Sequence, residues 1–486
     1  MTQWVLAIDQ GTHASRAIAF TPEGMIAAEA TQEVNLFRHS NFIIEQDPLE
    51  ILAATQKVID MVCARATGEG AQNISIVSAG LATQRSSVVA WDRESSLPLS
   101  PVISWQDRRN EEDLQSAKNI EKLIRQKTGL PISPHYGANK LRSLFQSNPD
   151  VQRAHKEGRL AFGPLASWLL YHLIEGSPFV VDHANASRTL LWNLSTHDWD
   201  NDLLAHFEIP REALPKCLPI VSDYGKLKGY NIPCKAVSGD QNAALFARGE
   251  PRPDELFANI GTGAFVLRPT KKLIFTANLL SGINLSGGPD QQEPARYHIE
   301  GTVNGAAAAL DWYFSGMVPE SRPSTEEISQ WLEETGDLPL FINSIGGIGS
   351  PWWKPGQTPG WVDPDSNPVK PDLRHAICSI IESIVFMLGV NLKEIEAELP
   401  KASAEYTISI SGGLAKFDGL CQKLASLTGA DIHRFEQSEA TARGIAWLAS
   451  GMRYNWRENA DTIFSPQTDP LLAERFQNFR NIMDKL

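Results

Sequence analysis

Two stretches decide how this chain is read. Asp9-Gln10-Gly11-Thr12 forms a turn between the apolar runs Trp4 to Ile8 and Ala17 to Phe20, and Gly261-Thr262-Gly263 forms a second between Phe257 to Ile260 and Ala264 to Leu267. A glycine-bearing turn between two strands aims backbone N–H groups and a Thr hydroxyl at one point, which suits the oxygens of a polyphosphate. Two such turns facing each other make a clamp. Ser411-Gly412-Gly413 leaves a third strand and enters a helix, where bare backbone lets a ribose or a flat ring lie close. Any one of these is an ordinary tight turn when taken alone; three at strand ends favour a nucleotide.

The residues around the turns carry the chemistry. Asp9 beside a phosphate loop repels the ligand unless a cation lies between them, so Asp9 implies Mg²⁺, held through water. His13 completes the first turn, and Arg16 on the following strand is placed to neutralise phosphate charge. Asp240 follows the strand Ala236 to Ser238 and opens a helix, so it fits a helix N-cap and, facing a cleft, a general base that accepts a hydroxyl proton during phosphoryl transfer. Arg85 and Trp105 each end a strand. An arginine with an indole suits a polyol, the guanidinium donating to hydroxyls and the ring lying on C–H groups. Gln84, Gln106 and Asp107 are placed to add hydrogen bonds, and His135 and Tyr136 lie in a loop that could close over substrate.

A chain of 486 residues exceeds what one core usually serves, which predicts two domains of about 200 to 250 residues. The connection Glu250-Pro251-Arg252-Pro253 places them at 1–248 and 249–486. A net charge of −13 argues against nucleic acid and anionic membranes as partners, since both need a basic face. The five cysteines are scattered without C-x-x-C spacing, so neither a disulfide framework nor a zinc site is expected. With no leader-like N-terminus and no stretch of membrane-spanning length recognised, a cytoplasmic protein is expected. Oligomeric state is left open, a homo-oligomer included.

The first third alternates strands and helices: an opening hairpin, a strand near Met25 to Gln32, a helix from Asp47 to about Ala66, and strands Ile74 to Ala82 and Val88 to Trp91. Residues 110–210 are expected to be mostly helical, Asn242 to Arg248 and Gly301 to Trp312 to be helices, and Asp372 to Leu399 a long amphipathic one.

In order along the chain, Asp9 to Thr12 with Ser15-Arg16, Thr83-Gln84-Arg85, Trp105-Gln106 with Arg108-Arg109, Thr128-Gly129-Leu130, Asn185 to Thr189, Gly239-Asp240-Gln241, Gly261-Thr262-Gly263, Gly349-Ser350-Pro351 and Gly412-Gly413 resemble the FGGY carbohydrate kinases, most closely their glycerol kinase branch. The resemblance implies an α/β fold of two actin-like (ribonuclease H-like) ATPase domains with an interdomain cleft. It also implies ATP with Mg²⁺ and transfer of the γ-phosphoryl group to a primary hydroxyl of a small polyol or sugar. It assigns Asp240 as base, Arg85, Ser86, Trp105, His135, Tyr136, Gln241 and Phe265 to the acceptor, and Gly11, Thr12, His13, Arg16, Gly261, Thr262, Gly263, Gly412 and Gly413 to the nucleotide. Asp9 takes the metal. Ser86 and His135 stand where the glycerol kinase branch has Glu and Tyr, which shifts the expected acceptor away from glycerol; Asp107 stands where that branch is uncharged, a further acceptor of hydrogen bonds for a longer polyol; and Ala307 and Phe417 stand where it has Gly and Asn, which alters the expected adenine contacts. The alternative on the same fold is a nucleotide-dependent switch of the actin or Hsp70 kind, for which an acceptor pocket at Arg85, Trp105 and Asp240 has no use.

Overall fold

The computed structural model describes residues 2–40, 42–67, 74–288, 294–333, 336–354, 358–399, 406–435 and 439–486. The first sheet is built around the strand Thr2–Gln10, whose residues from Trp4 onward are all buried. Both its faces are covered, which is why it reads as an unbroken apolar run rather than an alternating one. It pairs antiparallel with Ala14–Phe20, which pairs antiparallel with Ile26–Glu33, and on its other side parallel with Ile74–Thr83, itself parallel to Cys234–Gly239. The second sheet repeats this order. Glu255–Ile260 pairs antiparallel with Ala264–Thr270, which pairs antiparallel with Arg296–Val303, and on its other side parallel with Thr407–Ser411, next to Asp431–Arg434. Leu280–Leu285 and Thr462–Phe464 are added at its two edges.

Register places the functional ends side by side. Asp9 is opposite Ala82, Gln10 opposite Thr83, and Gly239 opposite Thr83 on its other side. With neighbouring strands about 4.8 Å apart, Asp9, the 84–87 turn and Asp240 emerge from one edge of the sheet. In the second sheet Asn259 is opposite Ser411, which brings the Gly261 turn beside Gly412. Open α/β sheets bind ligands at such carboxyl ends.

Helices Pro48–Thr67 and Leu165–Leu173 cover one face of the first sheet. Asp47 caps the first of these by accepting from the Leu49 N–H at 2.8 Å, while Glu50, at the capping-box position, instead accepts from Asn35. The opposite face is covered by Ala440–Ala449, a helix supplied by the segment between Asp431–Arg434 and Thr462–Phe464 of the second sheet. Arg443 on that helix is buried and donates to the carbonyls of Gly24, Ala247 and Trp456, so the returning chain is tied to the first lobe.

Several elements differ from expectation. Leu160–Pro164 is a strand inside the region expected to be helical; all five of its residues are buried, and such a run carries no alternation. The helix expected at Gly301 to Trp312 begins only at Ala307, because Gly301 to Val303 complete a strand. The helix after Ser238 is Asp240–Ala244, shorter than expected. Leu373–Glu398, with 26 residues, is long and apolar enough to cross a membrane by length and composition, contrary to the sequence reading, but 94% of its most apolar window is buried in the second lobe. It is the core helix of that lobe.

Candidate active site

Asp240 stands at the end of the strand Cys234–Gly239 with its side chain one-third exposed. Its Oδ1 accepts from the Gln241 N–H at 2.7 Å and lies 3.7 Å from Nε of Arg85. Burial raises its pKa, and the Arg85 guanidinium works against that rise. Gly239, not Asp240, is the helix cap residue, so the carboxylate is free of that duty.

Arg85 lies in the turn that carries the chain from the first sheet into a second small sheet, where Val88–Asp92 pairs with Leu160–Pro164. Its guanidinium is nearly buried, donates to Oδ1 of Asn242 at 3.0 Å, and is pushed down to about 10, first by burial and then by the nearby Arg188. The stem of Arg85 crosses Gly239, where an added Cβ would come within 2.5 Å of Arg85 Cγ and Cδ. Ser86 adopts φ 63° in this turn and directs its hydroxyl to the Arg188 carbonyl at 3.3 Å.

Trp105 donates its indole N–H to the Thr12 hydroxyl at 3.0 Å. The His135 ring stands edge-on to it, with centroids 5.4 Å apart. Burial and the cations Lys140, Arg85 and Arg188 push His135 down to about 3, so its imidazole is neutral at any physiological pH. Tyr136 is buried in the first-lobe core behind His135, with Arg188 bonded to its hydroxyl. Of the pair, it is the His135 ring that stands against Trp105.

Three residues expected to serve the acceptor are committed elsewhere. Gln84 is buried and bonds Gln10, Gln46 and Ser87. Gln106 accepts from Arg38. Asp107 is fully buried, accepting from the Ile44 N–H at 2.7 Å and holding Arg109 through both oxygens. Its charge, which suggested an extra acceptor for a longer polyol, anchors the 104–109 turn instead.

At the turn expected to hold phosphate, the Gly11 N–H closes on the Ala14 carbonyl at 2.9 Å, and His13 is exposed. Asp9 is buried, and its pKa is raised to about 7 by burial first, then by the negative charge of Asp240, with Arg16 opposing. Arg16 pairs with Glu439 at 3.3 Å. In the second lobe the carbonyls of Gly261 and Thr262 accept from the N–H groups of Ala306, Ala307 and Ala308, which staples the turn to the start of the helix Ala307–Ser315. Thr262 is exposed, and Phe265 packs against the apolar cluster between the lobes. Gly412 has φ 98°, and an added Cβ there would lie 2.6 Å from the Ile260 backbone, whereas Gly413 has nothing within 4 Å of an added Cβ. That leaves open space for a ligand over the backbone. Phe417 is buried in the second-lobe core, so its ring faces the interior and not this opening.

The sequence reading missed the charged floor beneath the site. Arg188 of the first lobe donates to Glu300 of the second at 2.7 Å, both nearly fully buried. His298 adjoins the pair and bonds Asn284. The guanidinium drives the Glu300 carboxyl far below the ordinary carboxylate range, against the effect of burial. A Glu within the strand Arg296–Val303 was the available signal, but its partner, 112 positions away, was not legible.

Comparison with known proteins follows the same division. Residues 4–247 match the model of the FGGY family of carbohydrate kinases, N-terminal domain, and residues 256–452 match the C-terminal domain of the same family. The chain belongs to the FGGY family of carbohydrate kinases. Glycerol kinase of Ectopseudomonas mendocina is 31% identical over 461 residues, 92% of this chain and 90% of that protein. Glycerol kinase of Alcanivorax borkumensis is 30% identical over 508 aligned positions, 99% and 98% of the two chains. The crystal structure of Plasmodium falciparum glycerol kinase with ADP superposes with a TM-score of 0.88 at 23% identity, covering 100% of this chain and 98% of that one, which shows the shared two-domain actin-like fold. As an FGGY kinase, the protein uses ATP to phosphorylate a hydroxyl acceptor.

Proposed function

We propose that the protein transfers the γ-phosphoryl group of ATP to a primary hydroxyl of a small polyol or sugar, with Asp240 as general base. The observation that carries this reading is the Asp240 carboxylate, raised in pKa by burial and held 3.7 Å from Arg85 at the sheet edge where Asp9 also emerges. Oδ1 is engaged by the Gln241 N–H, which leaves Oδ2 to accept the hydroxyl proton as the new O–P bond forms and the bond to the ADP leaving oxygen breaks.

The acceptor lies between Arg85, Trp105, His135, Gln241 and Phe265 in this reading. The neutral His135 ring and the Trp105 edge offer C–H surface, while Arg85 donates to hydroxyl oxygens. Ser86 gives its hydroxyl to the Arg188 carbonyl, so the wall on that side carries no carboxylate to accept from a pair of hydroxyls. An acceptor larger than glycerol or less hydroxylated at that end is favoured. The first lobe, 1–248, supplies the acceptor pocket and the first phosphate turn; the second, 249–486, supplies Gly261 to Gly263 and the Gly412-Gly413 opening for the nucleotide.

Mg²⁺ fits the residues present. Asp9, with Asp240 and Glu439 acting on it, holds its proton up to about 7, a penalty that a dication removes. Among the described residues no three carboxylates enclose a bare ion, which suits an ion held largely by phosphate oxygens and water. When bound, it neutralises charge developing on the transferring phosphoryl group.

A coupled ADP-release assay over glycerol, erythritol, ribitol, arabinitol, xylulose and ribulose tests the reading. Stimulated turnover with at least one is expected; ATP hydrolysis indifferent to all of them would overturn it.

A further inference from the structure

Lys140 is a buried ammonium in an unfavourable place. It is 1% exposed and lies in the first turn of the helix Gly137–Ser147, where the helix dipole opposes a cation. Among the described residues no carboxylate bonds it. Asp107, whose negative charge favours the ammonium, is committed to Ile44 and Arg109, and Arg109 itself repels the amine. Burial dominates and brings Lys140 down to about 7.

What the amine does touch is informative. Nζ donates to the Ser86 carbonyl at 3.2 Å and to the His135 carbonyl at 2.7 Å. Ser86 follows Arg85 in a turn at φ 63°, a conformation that a residue with a Cβ holds only under constraint. His135 begins the opposite wall, with its ring against Trp105. A methionine would fill the same space without a buried charge, so packing alone does not explain a lysine here.

We propose that Lys140 is a positioning residue for the acceptor pocket, its amine clipping the Arg85–Ser86 turn to the His135–Tyr136 loop and so fixing the gap between the Arg85 guanidinium and the His135 ring. The assignment rests on the acceptor pocket described under the proposed function. Lys140 does not touch the reacting atoms. It acts by holding two walls that belong to different parts of the chain at one separation, on which binding of the acceptor between them depends.

Lys140→Met removes both donors and keeps the volume. Hydrogen exchange read by mass spectrometry on the intact protein is expected to quicken several-fold at residues 84–87 and 133–138 together, with residues 255–267 unchanged. In the assay with xylulose, ribitol and glycerol, KM for the acceptor is expected to rise about ten-fold, with kcat within about two-fold and KM for ATP unchanged. Lys140→Gln, which keeps two N–H donors, is expected to recover part of the loss. Unchanged exchange in either segment overturns the clip, as does quickened exchange with an unchanged acceptor KM, or an equal loss of acceptor and ATP affinity. A wild-type protein inactive with all acceptors defeats the kinase reading instead, while the exchange measurement still decides whether the clip exists.

Discussion

The Trp105 indole N–H donates to the Thr12 hydroxyl across 3.0 Å, so the proposed acceptor wall and the proposed phosphate turn share a hydrogen bond. Thr12→Val is therefore expected to weaken both ligands. A net loss of about 1 kcal/mol corresponds to a five-fold rise in each KM. Trp105→Phe keeps Thr12 while removing the donor and part of the ring surface, so its acceptor KM is expected to rise while that for ATP changes little. Steady-state kinetics with each substrate varied in turn distinguishes the two patterns.

Asp9 gives a pH dependence of known sign. Its pKa in the folded protein is about 7, above its ordinary value of 3.8, so between those values the folded state holds more protons than the unfolded one. The ligand-free protein therefore loses stability as pH rises through that window. Asp9→Asn is expected to stabilise the free protein by about 2–4 kcal/mol at pH 8 and by almost nothing at pH 4, while losing metal-dependent turnover. Denaturant titrations at the two pH values check it.

Gly239 is the residue over which Arg85 lies, and an added Cβ would collide with its Cγ and Cδ at 2.5 Å. Gly239→Ala is expected to displace the guanidinium from Asn242 and Asp240 and to cost about 10- to 100-fold in kcat/KM for the acceptor. Nucleotide affinity, measured by calorimetry, is expected to stay within about two-fold, as the nucleotide turns lie elsewhere.

Much of this arrangement was legible in the sequence, and the reasons are physical. Both glycine turns were visible because a glycine between two apolar strands is a strong local signal, the helix at 48–67 because its start carries an Asp cap at Asp47, and that at 373–398 because of its long apolar periodicity. The strands Leu160–Pro164 and Arg296–Val303 were not found, since buried segments lose the alternation that marks a strand. Among polar residues, Arg85, Trp105 and Asp240 were placed correctly at strand ends, because strand ends are readable. Which polar groups face a ligand was not. Gln84 and Asp107 looked as available as Arg85, but partners 38 and 63 positions away consume them.

The same limitation hid the Arg188–Glu300 pair, which joins the lobes beneath the site. Removing one partner strands a buried charge, so Arg188→Met is expected to cost about 3–5 kcal/mol of stability. Arg188→Met combined with Glu300→Gln is expected to recover much of it. Urea unfolding of the two variants checks the difference.

Asp240 carries the central claim, and Asp240→Asn tests it most directly. The amide keeps the shape of the carboxylate but accepts no proton. Acceptor-stimulated ADP release is expected to fall by about 10²- to 10⁴-fold while calorimetry shows nucleotide binding within a few-fold of wild type. Stimulated turnover in the variant equal to that of wild type would contradict the account.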